Sequence, residues 1–377
     1  MSDLGRSAHT LLTRAQLPVA AYFDEAFYQR EIDVLFKGGP GYIGHELMVP
    51  KLGDYHTLTA EQNGRALIHN HQGIECISNI CRHRQAIMLQ GRGNTEQIVC
   101  PLHRWTYDLA GDLKGAPHFA QQPQLCLPKT SLQNWHGLLL EGKRDLSKDL
   151  QELGCAADFN FDGYMFDHAE VHECPYNWKT FIEVYLEDYH VEPFHPGLGR
   201  FVNCDTLSWQ FGEWYSVQTV GIHRALGSPG TPIYERWHKQ VLKNAGGQVP
   251  QRGAIWFTYF PNLMVEWYPH VLVVSTLHPK GPRHTTNVVE FYYPEEIQHF
   301  EPEFIAAHQQ AYDETAVEDE EICQRMQDGR KLLWREGRDE QGPYQSPMED
   351  GLVHFHEFIQ RGMQSAVKSD RQAVQDA

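Results

Sequence analysis

Two short segments carry the sharpest chemical signal in the chain: Cys81-Arg82-His83 and, after 16 intervening residues, Cys100-Pro101-Leu102-His103. Each supplies one thiol and one imidazole. Two thiolates and two imidazoles can hold a tetrahedral zinc, but structural zinc pairs are usually spaced by roughly two to four residues and Cys-x-His leaves only one between them. A [2Fe–2S] centre removes that difficulty, because two Cys on one iron and two His on the other let each segment send its residues to different metals. Gly91 and Gly93 suit a tight turn between the segments, Pro101 stiffens the second loop, and Trp105 and Tyr107 are placed to shield the cluster. Neutral imidazoles in place of thiolates raise the potential, and exposed imidazole edges give electrons a way out.

A second constellation lies between Asn177 and Gly197. Glu183, Glu187 and His190 are spaced i, i+4 and i+7, which predicts one helix face, with Phe181, Tyr185 and Tyr189 on another. His195 follows His190 by five residues, an offset of about 140° on an unbroken helix. Pro193 is expected to break the helix between them, so that His195 swings back to the same metal. Two imidazoles and one carboxylate make the facial triad that leaves positions on non-haem Fe(II) open for dioxygen. The acidic run Glu318-Asp319-Glu320-Glu321, on a predicted helix before Ile322-Cys323-Gln324-Arg325-Met326-Gln327, can supply the acid. Spacing does not choose among the four, and a solvated helix face is the competing reading of the run.

These groups need elements to position them. Residues 20–37 read as an N-terminal helix, and residues 41–141 as a β-rich module of short apolar runs broken by Gly, Asn and Asp. A helical stretch over about 177–191 follows, and then strand-like runs at 254–260, 262–268, 271–278 and 286–293 imply several antiparallel strands. From Pro294 to about Trp334 the pattern is one long polar helix or a pair, and a shorter helix is expected near 352–366. The division expected is an N-terminal helical segment at 1–40, a cluster-binding module at 41–145 and a catalytic domain at 146–377. Gly39-Pro40-Gly41-Tyr42-Ile43-Gly44 formally matches G-x-G-x-x-G, but a helix precedes it and an extended run follows, the reverse of a dinucleotide site, so it reads as a helix stop.

Composition narrows the function classes. The 377 residues carry a formal charge of −17 and no basic stripe, which argues against nucleic acid as a partner. No window approaches the ~18 apolar residues of a membrane span, and the first ten residues lack the apolar core of a signal peptide. Eight scattered Cys suit reduced thiols rather than a disulfide framework. The expected location is the cytoplasm, away from any membrane.

Taken together, Cys-x-His…Cys-x-x-His and the later Asn-Trp-Lys…Glu-x-x-His-x-x-x-x-His segment resemble the α (oxygenase) subunits of Rieske non-haem iron oxygenases over nearly the whole chain. The resemblance implies an α+β protein: a small all-β Rieske [2Fe–2S] domain and a catalytic domain with a large antiparallel sheet flanked by helices. It implies that Cys81 and Cys100 bind one cluster iron and His83 and His103 the other, and that His190, His195 and Asp319 bind mononuclear Fe(II). Glu187 matches the bridging carboxylate, expected to hydrogen-bond His103 of a neighbouring subunit in a ring-shaped homotrimer, to which a small β subunit is a possible addition. Asp188 and Glu183 are candidates for tuning proton delivery. Electrons are expected from NAD(P)H through a separate ferredoxin or flavin reductase, and O2 is the co-substrate for hydroxylating a small organic molecule.

Glu rather than Asp at position 187, and His195-Pro196-Gly197, resemble the carnitine and betaine oxygenases, which favours a quaternary-ammonium substrate over an aromatic one. An aromatic cage for such a cation could draw on Trp214, Trp256, Tyr259, Phe260, Trp267 and Tyr268, for which core packing is the plainer reading. A non-catalytic Rieske electron carrier is the rival from another class, and the length of the chain beyond the cluster module argues against it.

Overall fold

The structure is a computed structural model that describes residues 16–37, 39–223 and 230–375; residues 1–15 of the expected N-terminal segment lie outside the described residues. Contacts divide the chain into Gly39–Lys148 and a unit formed by Met1–Gly38 with Asp149–Ala377.

The first unit is all β. A five-stranded sheet runs in the order Arg92–Asn94, Asp54–Thr57, Arg65–Asn70, Gly73–Ser78 and Lys129–Thr130, with a three-stranded sheet of Gly41–His45, Leu138–Glu141 and Leu132–Trp135 and a smaller one formed by Ile98–Val99, Thr106–Tyr107 and Leu113–Gly115. Ala66, Ile68, Ile77, Ile98, Trp105 and Tyr107 form an apolar core that includes Cys81 and Cys100. Gly41–His45 is a strand paired with Leu138–Glu141, so most of the glycine-rich run is strand and it is no phosphate loop.

The second unit is built on a seven-stranded antiparallel sheet ordered Tyr164–Cys174, His284–Pro294, Val271–Gly281, Leu263–Tyr268, Ala254–Tyr259, Tyr215–Ile222 and Val202–Phe211. The four apolar runs expected to be strands lie together in it. Tyr164–Cys174 and Val202–Phe211 are its edges, half-exposed and polar, which is why their sequences lack the strand signature of the centre. On one face Val220, Trp256, Val273 and Phe291 pack against Trp237 of helix Pro232–Asn244 and Phe304 of helix Pro302–Arg335. Phe304, Ala307, His308 and Ala311, spaced i, i+3, i+4 and i+7, are the buried stripe that seats the 34-residue helix. The C-terminal helix spans Asp350–Gln375, longer than expected.

The N-terminal segment belongs to this second unit: Leu17, Ala21, Tyr22 and Leu35 share a core with Trp178, Ile182 and Phe355. Asp24 caps its helix Glu25–Glu31 by accepting from the Phe27 N–H at 2.7 Å. Glu31 forms a fully buried pair with Lys179 at 2.8 Å.

Glu183 has a structural place rather than the proton-delivery role considered for it. Its carboxylate accepts from Tyr22 and from His356 Nε2 at 2.8 Å and forms an ion pair with Arg330 at 2.6 Å, and it does not line the cavity described below. Burial alone would raise this carboxyl, but Arg330, His356 and Tyr22 together hold it at about 2, below its ordinary 4.5. A carboxyl held low stabilises the fold above its ordinary value, and that contribution is lost as pH falls toward the folded value. Glu183→Gln is therefore expected to destabilise the protein by about 2–4 kcal/mol at neutral pH by leaving the half-buried Arg330 without its counter-charge. Thermal unfolding at a series of pH values should show the difference from wild type shrinking between 4.5 and about 2.

Candidate metal centres

The cluster segments form two loops of matching backbone. Cys81 and Cys100 each accept from the amide four residues on, Gln85 and Arg104 at 3.1 Å in both cases, while their own amides donate to Ala86 O at 2.9 Å and Trp105 O at 2.8 Å. Gln85 and Arg104 both sit in the left-handed region, at φ 56° and 61°, and this is what closes the two loops alike although one reads Cys-x-His and the other Cys-x-x-His. Both sulfurs are buried, whereas His103 is exposed. Burial raises the Cys100 thiol, while the amides of Leu102 and His103 work in the other direction by donating to its sulfur. The His83 and His103 rings lie 4.7 Å apart, and His83 stacks on Trp105 at 4.9 Å. Tyr107 hydroxyl stands 3.7 Å from Cys81 Sγ, so both aromatic residues singled out in the sequence border this site.

His83 Nδ1 is buried without a partner, an orphan that a metal would satisfy. Among the described residues, only His190, His195 and Asp319 bring three donor atoms within 4.8 Å of one another. The Cys81, His83, Cys100 and His103 set is thus too open for one tetrahedral ion and suits a two-iron cluster, whose thiolate and imidazole ends are separated by the bridging sulfides.

The second centre is assembled differently from the helix face expected for it. Helix Trp178–Tyr185 ends at Leu186, φ −99° and ψ 27°, so Glu183 and Glu187 do not share a helix with His190. Pro193 is not the break. It lies inside the short helix Val191–Phe194, in the first turn, where a missing N–H costs nothing. His190 is the N-cap and His195 the C-cap of that turn, and the extended conformation of His195, φ −106° and ψ 91°, turns its ring back toward His190, with ring centroids 5.0 Å apart. Gly197 leaves room for the Tyr234 ring, since a Cβ there would lie 2.2 Å from it.

Each imidazole is fixed through its outer nitrogen. Glu187 accepts from the His190 amide at 3.0 Å and from its Nδ1 at 2.6 Å, and Glu318 accepts from His195 Nδ1 at 2.7 Å. Because a carboxylate accepts only, both Nδ1 atoms carry a proton, which leaves each Nε2 as the atom that faces a metal. They face Asp319 Oδ1 at 3.4 and 3.1 Å, yet that buried oxygen has no well-formed hydrogen bond. Burial disfavours the charged form of His190, but Asp319 and Glu187 outweigh it and push the imidazole up to about 10; a cation between the rings would answer the same field. Of the acidic run, Asp319 meets both imidazoles, Glu318 orients His195, Glu320 lines the adjoining cavity and Glu321 pairs outward with Arg325.

The donor atoms open on a cavity of about 720 Å³. Of the six aromatic residues considered for a cage, only Trp256 and Tyr268 line it. Alternation along the strands sends Tyr259 and Trp267 to the opposite face, where Tyr259 donates to Asp149 at 2.5 Å, and Trp214 and Phe260 pack with Phe358. Sequence reasoning passed over Glu266 and Gln218, and it offered Glu318 only as one of four possible metal ligands, not as the acid that orients His195. Glu266 had a signal: it is an acid in the otherwise apolar run Leu263–Tyr268, where an uncompensated charge is expensive. Burial pushes its carboxyl up to about 7.

Residues 42–132 match the Rieske [2Fe–2S] domain family and residues 161–365 the ring-hydroxylating α subunit (catalytic domain) family. The chain is 65% identical over 363 residues to putrescine 2-hydroxylase of Ralstonia nicotianae, covering 96% of this chain and 100% of the relative. It is 56% identical to putrescine 2-hydroxylase of Bordetella bronchiseptica, over 96% of this chain and 88% of the relative, and 27% identical to chloroplastic choline monooxygenase of Spinacia oleracea, over 91% and 77%. Among solved structures, the quaternary ammonium Rieske monooxygenase CntA superposes with a TM-score of 0.74 at 19% identity, covering 92% of this chain and 95% of the other, which bears out the expected fold.

Asp319→Ala should abolish binding of one divalent metal ion per chain while leaving the visible absorption of the first centre intact. Metal analysis beside the absorption spectrum checks this; an unchanged metal content would remove Asp319 from the centre.

Proposed function

The chain belongs to the Rieske non-haem iron oxygenase α subunits, and from that premise we propose that it is the terminal oxygenase that hydroxylates a carbon of a short aliphatic diamine such as putrescine. The observation that carries the substrate is the charge of the cavity wall. Glu170, Glu173, Asp188, Glu266, Asp313 and Glu320 line it beside Glu187 and Asp319, and no Lys or Arg does among the described residues. An alkyl diamine is a dication at neutral pH, since an unperturbed alkylammonium titrates near about 10.4. An aromatic acid would be repelled by this wall, and a neutral arene would bring no charge to the buried Asp188 and Glu266. The relatives named for putrescine and choline hydroxylation act on cationic amines, which agrees with the charge of the wall.

When bound, the Rieske cluster stores electrons and the mononuclear iron uses them to activate O2 for insertion into a C–H bond. Cys81, His83, Cys100 and His103 hold the cluster; His190, His195 and Asp319 hold the iron. Glu187 and Glu318 keep the two imidazoles in the tautomer that ligation requires. Glu187 is also the acid through which His190 meets His103 of an adjacent subunit in a homotrimer. A ferredoxin or flavin reductase supplies electrons from NAD(P)H, and the enzyme works beside it in the cytoplasm. Relative to the expected quaternary-ammonium class, the acidic wall favours an amine that can donate hydrogen bonds.

With a reductase and NAD(P)H, wild-type enzyme is expected to consume O2 and form hydroxydiaminobutane from putrescine, with far slower uptake on carnitine or benzoate. Uptake confined to an aromatic acid would refute the reading. Glu187→Gln should keep the full iron content yet lose roughly 10–100-fold in turnover; a wild-type rate would show that the carboxylate charge is dispensable.

A further inference from the structure

Resting on the diamine reading, we propose that Glu266, Gln218 and Tyr185 form the subsite that takes one primary ammonium group of the substrate and rejects quaternary ammonium. The sheet sets the two side chains that stand on it. Trp256 pairs with Gln218 on one side and Glu266 on the other, so all three project from the same face, the one that carries the cavity. Tyr185, at the end of helix Trp178–Tyr185, lines the same cavity and lies close enough to Glu266 for the carboxylate to act on its hydroxyl.

All three present acceptors. Trp256 Nε1, which can only donate, gives its hydrogen to the Tyr268 hydroxyl at 2.8 Å, so the Tyr268 hydrogen is directed to Glu266 at 2.8 Å. This relay holds Glu266 as an acceptor. Gln218 donates one of its two amide hydrogens to Tyr185 O at 2.8 Å, which orients the side chain and leaves Oε1 as an acceptor. That Oε1 is buried with no partner, on a residue 2% exposed, and the Tyr185 hydroxyl is likewise buried and unpartnered. The wall therefore offers a carboxylate and two neutral oxygens, with the Trp256, Tyr268 and Tyr312 rings around them.

A primary ammonium has three N–H donors, one for each acceptor, and its charge answers the carboxylate. A quaternary ammonium has none. It would occupy the aromatic walls by cation–π attraction but leave the buried oxygens unpaired, the arrangement by which polar sites discriminate most strongly against an analogue lacking a donor. Glu266 also feels the charge of Asp319, so the subsite stands near the iron ligands and would bring the carbons next to the bound nitrogen toward the reacting centre.

Calorimetric titration of the holoenzyme with 1,4-diaminobutane, n-butylamine and choline tests the subsite. Glu266→Gln preserves shape and removes charge; it should weaken both primary amines roughly thirtyfold or more while choline changes far less. Gln218→Leu should weaken the primary amines by a smaller factor and leave choline unchanged or tighter. Visible absorption and iron content of each variant report that both centres are intact. Wild-type affinity of Glu266→Gln for diaminobutane would overturn the subsite even if the wild-type enzyme hydroxylates the diamine, in which case the diamine reading survives. If Glu266→Gln fails to fold, Gln218→Leu and Tyr185→Phe decide, and unchanged selectivity between butylamine and choline in both would refute it. A wild-type enzyme that neither binds nor hydroxylates any primary amine overturns both the diamine reading and the subsite.

Discussion

Negative charge gathered in one poorly solvated place governs the catalytic unit. Asp319, Glu187 and Glu318 surround two imidazoles, and further acids continue along the cavity with no Lys or Arg among its described lining residues. Burying carboxylates costs several kcal/mol each unless a partner answers them. Elsewhere in the same unit the chain supplies its own partners, Lys179 for Glu31 and Arg330 for Glu183. At the cavity His168 and His172 answer Glu170 and His284 answers Glu173, while the proposed occupants, a metal at the histidines and an ammonium at Glu266, would answer the more deeply buried acids.

The scaffold serves that requirement by rigidity. Strands carry Gln218, Trp256 and Glu266 in register, and a 34-residue helix seated by Phe304, Ala307, His308 and Ala311 delivers Asp319. His190 and His195 bound a single helical turn, so their separation is fixed by one backbone unit and not by loop conformation. The outer nitrogens are tied down by carboxylates from two different elements, which leaves little rotational freedom at either ring. In the other unit, two loops of like backbone present Cys and His pairs, with sulfurs inside and His103 at the surface, an arrangement suited to passing electrons outward.

Much of this was legible in the sequence because the chemistry needs particular atoms at short range. Cys81, His83, Cys100 and His103 lie in two pairs, and the mixed ligand type pointed to two irons. The central strands were legible because both faces are buried and read as continuous apolar runs. The edge strands were not, since solvent on one side admits polar residues that blur the pattern. The helix through His190 was over-extended because spacing alone predicts i, i+4, i+7 neighbours wherever the chain continues, whereas the carboxylate of Glu187 folds back on the His190 amide and starts a new turn.

By itself, the sequence determined which donor atoms exist, their local pairing and the two-centre chemistry, because ligands to one centre are close in the chain or of a distinctive type. The resemblance already named Asp319 in the run at 318–321; that Glu318 stands behind His195, which aromatic residues reach the cavity, and that Glu183 holds the fold while Glu266 faces the site came from the tertiary structure alone. Those outcomes depend on the direction of side chains from elements far apart in sequence, and direction is fixed by sheet register and helix packing, which no local pattern contains.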